Sequence, residues 1–110
     1  MGIPWDPEYG GGGMDLISLI ITREELAKVC VSTAATLMAH TSLGTGPISY
    51  FGTDEQKKKY LSKLATGEII GSFGLTEPNA GSDAGNTQTT ATLDGDEFVV
   101  NGQKIFCTND

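Results

Sequence analysis

The chain has 110 residues, 38% of them hydrophobic, and a net charge of −7. A chain this short buries roughly 65% of its unfolded surface, so any core is modest. Its acidic balance disfavours nonspecific nucleic-acid binding, which needs a basic footprint.

Residues 1–13 show no helical or strand period. Pro4, Pro7 and the run Gly10 to Gly13 fit either a flexible linker or a tight loop that brings backbone close to a neighbour. From Met14 to about Ala39 the period is helical. Leu16, Ile20, Ala27, Val31 and Ala34 lie beside a second row of Leu19, Leu26, Val29 and Cys30, while Ser18, Thr22, Glu25, Lys28 and Ser32 make a narrow polar face. So wide a stripe predicts a helix mostly buried among others. His40 closes this helix, where it is expected to cap carbonyls.

A short helical piece follows from Pro47 to Phe51, with Gly52 just past its end, and Tyr50 and Phe51 are expected in the core. Thr53-Asp54-Glu55-Gln56 has the form of a capping box and opens another helix. Tyr60, Leu61 and Leu64 are its expected buried face, Lys57-Lys58-Lys59 its solvated one, and Thr66-Gly67 its end.

After Gly67 the pattern changes. Ile69–Leu75, Thr87–Leu93, Glu97–Val100 and Lys104–Thr108 read as strands, the later ones joined by the hairpin dipeptides Asp94-Gly95 and Asn101-Gly102. The expected fold is therefore α+β: helices over residues 1–69 followed by antiparallel strands over 70–110. A meander this short has open edges and little core, so both chain ends are read as cuts through a longer polypeptide.

No apolar run is long enough to predict a membrane span, and the N-terminus lacks the cationic-then-apolar order of a secretory signal. Cys30 and Cys107, with the lone His40, have no metal-ligand spacing. Both cysteines are expected to be small buried side chains in a reducing, intracellular compartment.

The stretch Gly74-Leu75-Thr76-Glu77-Pro78-Asn79-Ala80-Gly81-Ser82-Asp83 carries the most chemistry. Such a loop offers backbone amides and hydroxyls to an anion or a polar ring edge. Taken alone it reads first as a polar connection with an Asx or Ser turn at Ser82-Asp83. Glu77 is expected to be a structural acceptor that pins the turn, and Asp83 a turn-stabilising or capping acid.

The string from Phe73 to Asp83, followed by Asp94-Gly95-Asp96, Asn101-Gly102-Gln103-Lys104 and Thr108-Asn109, resembles the acyl-CoA dehydrogenase family. Tyr9-Gly10-Gly11, Glu24-Glu25-Leu26-Ala27, Phe51-Gly52-Thr53-Asp54-Glu55-Gln56-Lys57, Tyr60-Leu61 and Gly67-Glu68 match it in the same order. The glycine run and His40-Thr41-Ser42-Leu43-Gly44 look most like short-chain, butyryl-type members. The resemblance implies FAD as cofactor and α,β-dehydrogenation of an acyl-CoA, in which a carboxylate removes the α-proton and the β-hydrogen leaves as hydride to the flavin. It implies that Phe73, Leu75, Thr76, Gly81 and Ser82 belong to one flavin segment and Phe106 and Thr108 to a second, with Ser82 also touching the substrate. Phe106 stands where many members carry Trp, and Asp110 where Gly usually follows the Thr-Asn pair. The family's base, a Glu, is expected outside this chain, so no catalytic residue is assigned and the isolated chain is expected to be inactive. Electron-transfer flavoprotein as acceptor, a homotetramer, and a bacterial cytoplasmic or mitochondrial matrix location are further implications. The same fold also serves oxidases and flavin monooxygenases, and a fragment that binds no flavin is the non-enzymatic alternative.

Overall fold

The computed structural model describes all 110 residues, Met1–Asp110. They form two compact units, Met1–Phe73 with Thr108–Asp110, and Gly74–Cys107.

The first unit opens with a tight loop. A 3-10 turn at Pro7–Tyr9 is capped by Asp6, whose side chain accepts from the Glu8 amide at 2.8 Å. The glycine run folds back on the first residues: Gly12 N donates to Gly2 O and Gly13 N to Trp5 O, both at 2.8 Å. Of the two readings of this segment, the tight loop is the one observed. It holds Trp5 buried against Leu61 and Ala65, with Tyr9 and Ile48 packed alongside.

Asp15 caps α1 (Leu16–Val29), accepting from Ser18 N at 2.8 Å. The single helix expected from Met14 to Ala39 is broken at Cys30, whose extended backbone (φ −150°, ψ 105°) separates α1 from α2 (Val31–Met38). Val29 and Val31 flank the break, and β-branched side chains lose rotamer freedom in a helix. The broad apolar stripe is also less covered than its width suggests: Leu19 alone is buried in α1, because a neighbour such as α2 covers one side of so wide a band.

After α2 the helix widens into a π-turn at Ala39–Thr45 and tightens again as α3 (Gly46–Phe51). Thr41 Oγ1 donates back to Leu37 O at 2.8 Å, and Ser42 Oγ to Met38 O. Such back-bonding competes for helical carbonyls and bends the chain. The expected capping box is present: Gln56 N donates to Thr53 Oγ1 at 3.2 Å, and Thr53 N to Gln56 Oε1 at 2.9 Å. It starts α4 (Asp54–Gln56), which runs through a second π-turn (Lys57–Leu61) into α5 (Ser62–Thr66), ended by Gly67 at φ +80°.

Several burial expectations fail in this unit. Tyr50 and Phe51 are 73% and 88% exposed, and Tyr60 is also on the surface, leaving Leu61 and Leu64 as the buried pair. Tyr50 does lie edge-on to Trp5, centroids 6.1 Å apart. Cys30 is exposed, and in the second unit Cys107 is half-buried, so neither is the small core side chain expected. Capping and the 3.6-residue period identify helices, but which side is covered depends on contacts distant in sequence.

The second unit holds one antiparallel hairpin, β1 (Thr90–Asp94) and β2 (Glu97–Asn101). Asp94 pairs with Glu97, leaving Gly95-Asp96 as a two-residue loop. Gly95 has φ +60°, the requirement at the first central position of a type II′ turn. The other strands of the expected meander are absent. Ile69–Leu75 and Lys104–Thr108 join no ladder, and Asn101-Gly102 opens no second hairpin. A strand is defined by its partner's amides, and the polar groups around Gly71 bond instead to side chains of the helical unit. No helix is long and apolar enough to cross a membrane, and no cluster of His, Cys, Asp or Glu could hold a metal ion.

Candidate functional site

The Gly74–Asp83 loop is built around Glu77, which is 6% exposed. Its backbone and that of Ala80 exchange both hydrogen bonds, at 3.0 and 3.1 Å, closing the turn Glu77-Pro78-Asn79-Ala80. The carboxylate then takes four donors. Oε2 accepts from Gln88 N at 2.6 Å; Oε1 accepts from Thr89 N at 3.0 Å, from the Thr89 hydroxyl, and from Lys104 Nζ at 2.8 Å. The Lys104 ammonium, then the Thr89 hydroxyl and Gln88 amide, pull its pKa down to about 2. Glu77 is thus the turn-pinning acceptor expected from sequence, and a carboxylate so stabilised cannot take a proton near neutrality.

Asp83 differs from expectation in its means. Its carbonyl accepts from Asn86 N at 3.1 Å, starting the 3-10 turn Ala84–Asn86, but its carboxylate makes no capping bond. Gly81 and Ser82, just before it, are exposed.

Within this unit the two segments singled out by sequence run side by side. Lys104 Nζ donates to Leu75 O at 3.1 Å and Ile105 N to Thr76 O at 2.8 Å. Gly74 lies against Lys104 and Cys107. A trans peptide sets its C=O and N–H on opposite sides, so the Leu75 carbonyl, turned to Lys104, directs the Thr76 N–H the other way. Leu75 is half-exposed, and Phe106 is 87% exposed at φ +58°. A bulky residue at positive φ is a true outlier, and such strain concentrates at functional sites.

Phe73 and Thr108 belong to the first unit. Ser72 Oγ donates to Thr108 O at 2.8 Å. Asn109, at φ +71°, uses its amide to reach Gly71 O at 3.2 Å and Thr36 O at 3.1 Å. Gly71 N donates to His40 Nδ1 at 2.9 Å, and His40 Nε2 stands 3.0 Å from Leu64 O. Because Nδ1 accepts, the ring proton is on Nε2, which donates to Leu64: a neutral imidazole. Burial lowers its pKa, partly offset by the Leu64 carbonyl. His40 therefore does not cap its own helix; it joins two other segments. Neither its role nor that of Asn109 had a sequence signal, since both partners are backbone atoms remote along the chain.

In the second unit Thr76 and Ser82 offer hydroxyls and backbone amides, and Phe106 an exposed ring; in the first unit Thr108 offers a hydroxyl and Phe73 a half-exposed ring.

Comparison with known proteins identifies the family. Residues 1–68 match the family model for the acyl-CoA dehydrogenase N-terminal domain, and residues 72–109 that for the middle domain. A short-chain specific acyl-CoA dehydrogenase of Clostridium acetobutylicum is 60% identical over 109 residues, 99% of this chain and 29% of that protein. Butyryl-CoA dehydrogenase from Megasphaera elsdenii superposes with a TM-score of 0.92 at 47% identity, over 96% of this chain and 29% of its own. An acyl-CoA dehydrogenase complexed with FAD from Bacillus anthracis gives 0.92 at 44% identity, over 98% and 19%. The chain spans less than a third of the length of these relatives. With helices followed by an antiparallel pair, and both family models matched in order, the chain belongs to the acyl-CoA dehydrogenase family.

Proposed function

We propose that this chain supplies part of the flavin-binding wall of an FAD-dependent acyl-CoA dehydrogenase acting on short-chain thioesters. Residues 1–69 would be the later part of its helical domain and 70–110 the opening of its middle domain. The observation that carries the reading is the pairing of Leu75-Thr76 with Lys104-Ile105, which sets the two candidate segments side by side.

In this reading Leu75 and Thr76 present a backbone amide and a hydroxyl to the pyrimidine edge of the flavin. Gly81 leaves the loop open for Ser82 to reach a phosphate, and Ser82 also touches the acyl-CoA. Phe73 and Phe106 lie against the ring system, and the Thr108 hydroxyl bonds near its reacting nitrogen. When bound, FAD supplies the hydride acceptor. Hydrogen bonds to the pyrimidine edge favour the electron-rich ring, the kind of fixed polar stabilisation that lowers a barrier. Glu77, fully engaged, is not the base, and in this reading the α-proton is taken by a carboxylate outside this chain, as the family resemblance implies. Electron-transfer flavoprotein as acceptor, a tetrameric assembly, and a bacterial cytoplasmic or mitochondrial matrix location complete the proposal.

The test is anaerobic addition of butyryl-CoA to the full-length protein that contains this chain. Flavin bleaching with formation of crotonyl-CoA is expected, and the reduced form should pass electrons to electron-transfer flavoprotein far faster than to oxygen. A protein that carries no flavin would overturn the proposal; fast reoxidation by oxygen would make it an oxidase. The isolated chain with added FAD should form no crotonyl-CoA.

A further inference from the structure

We propose that His40 and Asn109 are positioning residues that clamp the Gly71 peptides and so set the placement of Phe73 and Thr108 for flavin binding. The proposal rests on the flavin reading above, and all its atoms lie in the first unit.

The segment leading to Phe73 is gripped from three directions. His40 accepts the Gly71 N–H at 2.9 Å while bonded to Leu64 O at 3.0 Å, so the ring ties the segment to α5. Asn109 donates to the Gly71 carbonyl at 3.2 Å and to Thr36 O at 3.1 Å, tying it to α2. Ser72 Oγ donates to the Thr108 carbonyl at 2.8 Å. Beneath them the backbone crosses the π-turn at contact distance: a Cβ placed on Gly44 would stand 2.5 Å from the Gly71 carbonyl carbon.

Phe73 is two residues beyond the clamped glycine, and Thr108 is covalently next to Asn109. The clamp therefore fixes both candidate flavin residues at once, though neither His40 nor Asn109 need touch the cofactor. His40 is 0% exposed, so its bonds are made without competition from water. The neutral imidazole suits the place because it is a donor on one side and an acceptor on the other. Leucine can do neither. Glutamine offers one of each in a side chain of similar reach.

The experiment uses the full-length, flavin-loaded protein and three variants, His40→Leu, His40→Gln and Asn109→Gly. Glycine adopts the positive φ of Asn109 freely, so that change removes the amide bonds without imposing backbone strain. Measured are FAD affinity, the position of the flavin absorption band and the thermal midpoint. Leu61→Ala, a core truncation that breaks none of these bonds, calibrates what instability alone does. His40→Leu and Asn109→Gly are each expected to weaken FAD binding about tenfold and shift the flavin band, as the loss of one or two buried hydrogen bonds implies. His40→Gln should restore most of both, and Leu61→Ala should lower the midpoint while leaving the band in place. Folded His40→Leu and Asn109→Gly proteins with unchanged affinity and band would overturn the clamp. If His40→Leu does not fold, Asn109→Gly decides between the same two results. A colourless wild-type protein would instead sink the flavin reading and this proposal with it, a result distinct from the one that overturns the clamp alone.

Discussion

Each unit buries one titratable side chain, and the two solve the same problem in opposite ways. His40 in the helical unit is neutral and serves as both donor and acceptor to backbone. Glu77 in the β unit is ionised and only accepts, gathering two amides, a hydroxyl and an ammonium. A buried polar group costs free energy unless its bonding capacity is met. The neutral group meets it by matching one donor with one acceptor, the charged group by collecting donors. Protonation damages both, for opposite reasons: it gives His40 a buried charge with no acceptor role left, and it takes from Glu77 the charge that holds Lys104.

The largest expected effect of breaking this contrast is at His40. Replacement by Leu strands the Gly71 N–H and leaves the Leu64 carbonyl with the Gly67 amide as its remaining donor, a loss of about 2–4 kcal/mol in stability, to be read from denaturant melts. Next comes Glu77→Gln, which removes the charge facing Lys104 and turns an NH2 group toward existing donors. The amides of Gln88 and Thr89 should lose roughly tenfold in hydrogen-exchange protection, while helical amides in the first unit keep theirs.

A pH titration then sharpens the contrast without mutation. His40 has its pKa lowered from the ordinary 6.5, so the unfolded chain takes up the proton first. The contribution of its neutral ring is complete above about pH 6.5 and declines as the pH falls below it. Glu77 has its pKa lowered from 4.5 to about 2, so its contribution is complete above 4.5 and is lost as the pH falls through about 2. Exchange at Gly71, corrected for intrinsic rate, should therefore quicken at a higher pH than exchange at Gln88. The reverse order would show that these two residues do not govern their units.

The smallest effect is expected at Gly81, where an added Cβ meets nothing within 4 Å. Gly81→Ala should stay within about 0.5 kcal/mol of the parent. Its FAD affinity then measures only whether the cofactor itself comes close to that backbone.

These contrasts also mark what could be read from sequence. The capping box at Thr53, the Asp94-Gly95 turn and the role of Glu77 were legible because each is decided within a few residues or by a residue type with few alternatives. The break at Cys30 carried no Gly or Pro to announce it. Tyr50 and Phe51 had the composition of core but lie on the surface, since coverage depends on elements far away in the chain. The extended stretches at 69–75 and 104–108 have strand-like composition, yet their polar groups bond to His40, Asn109 and the loop around Glu77 rather than to a ladder. For the site, the family motifs pointed to the two candidate segments, but not to the buried His40 imidazole and the Asn109 amide that hold the Gly71 backbone.

Phe106, at φ +58°, has a consequence for the chirality of its own α-carbon. Left-handed backbone costs an L residue roughly 1–2 kcal/mol and is the natural basin of its mirror image. A chemically synthesised chain with D-phenylalanine at this position would hold that backbone angle without the steric penalty. The L-residue holds it only because its neighbours impose it, so the direction of that exposed ring is set by the surrounding fold and not by its own stereochemistry.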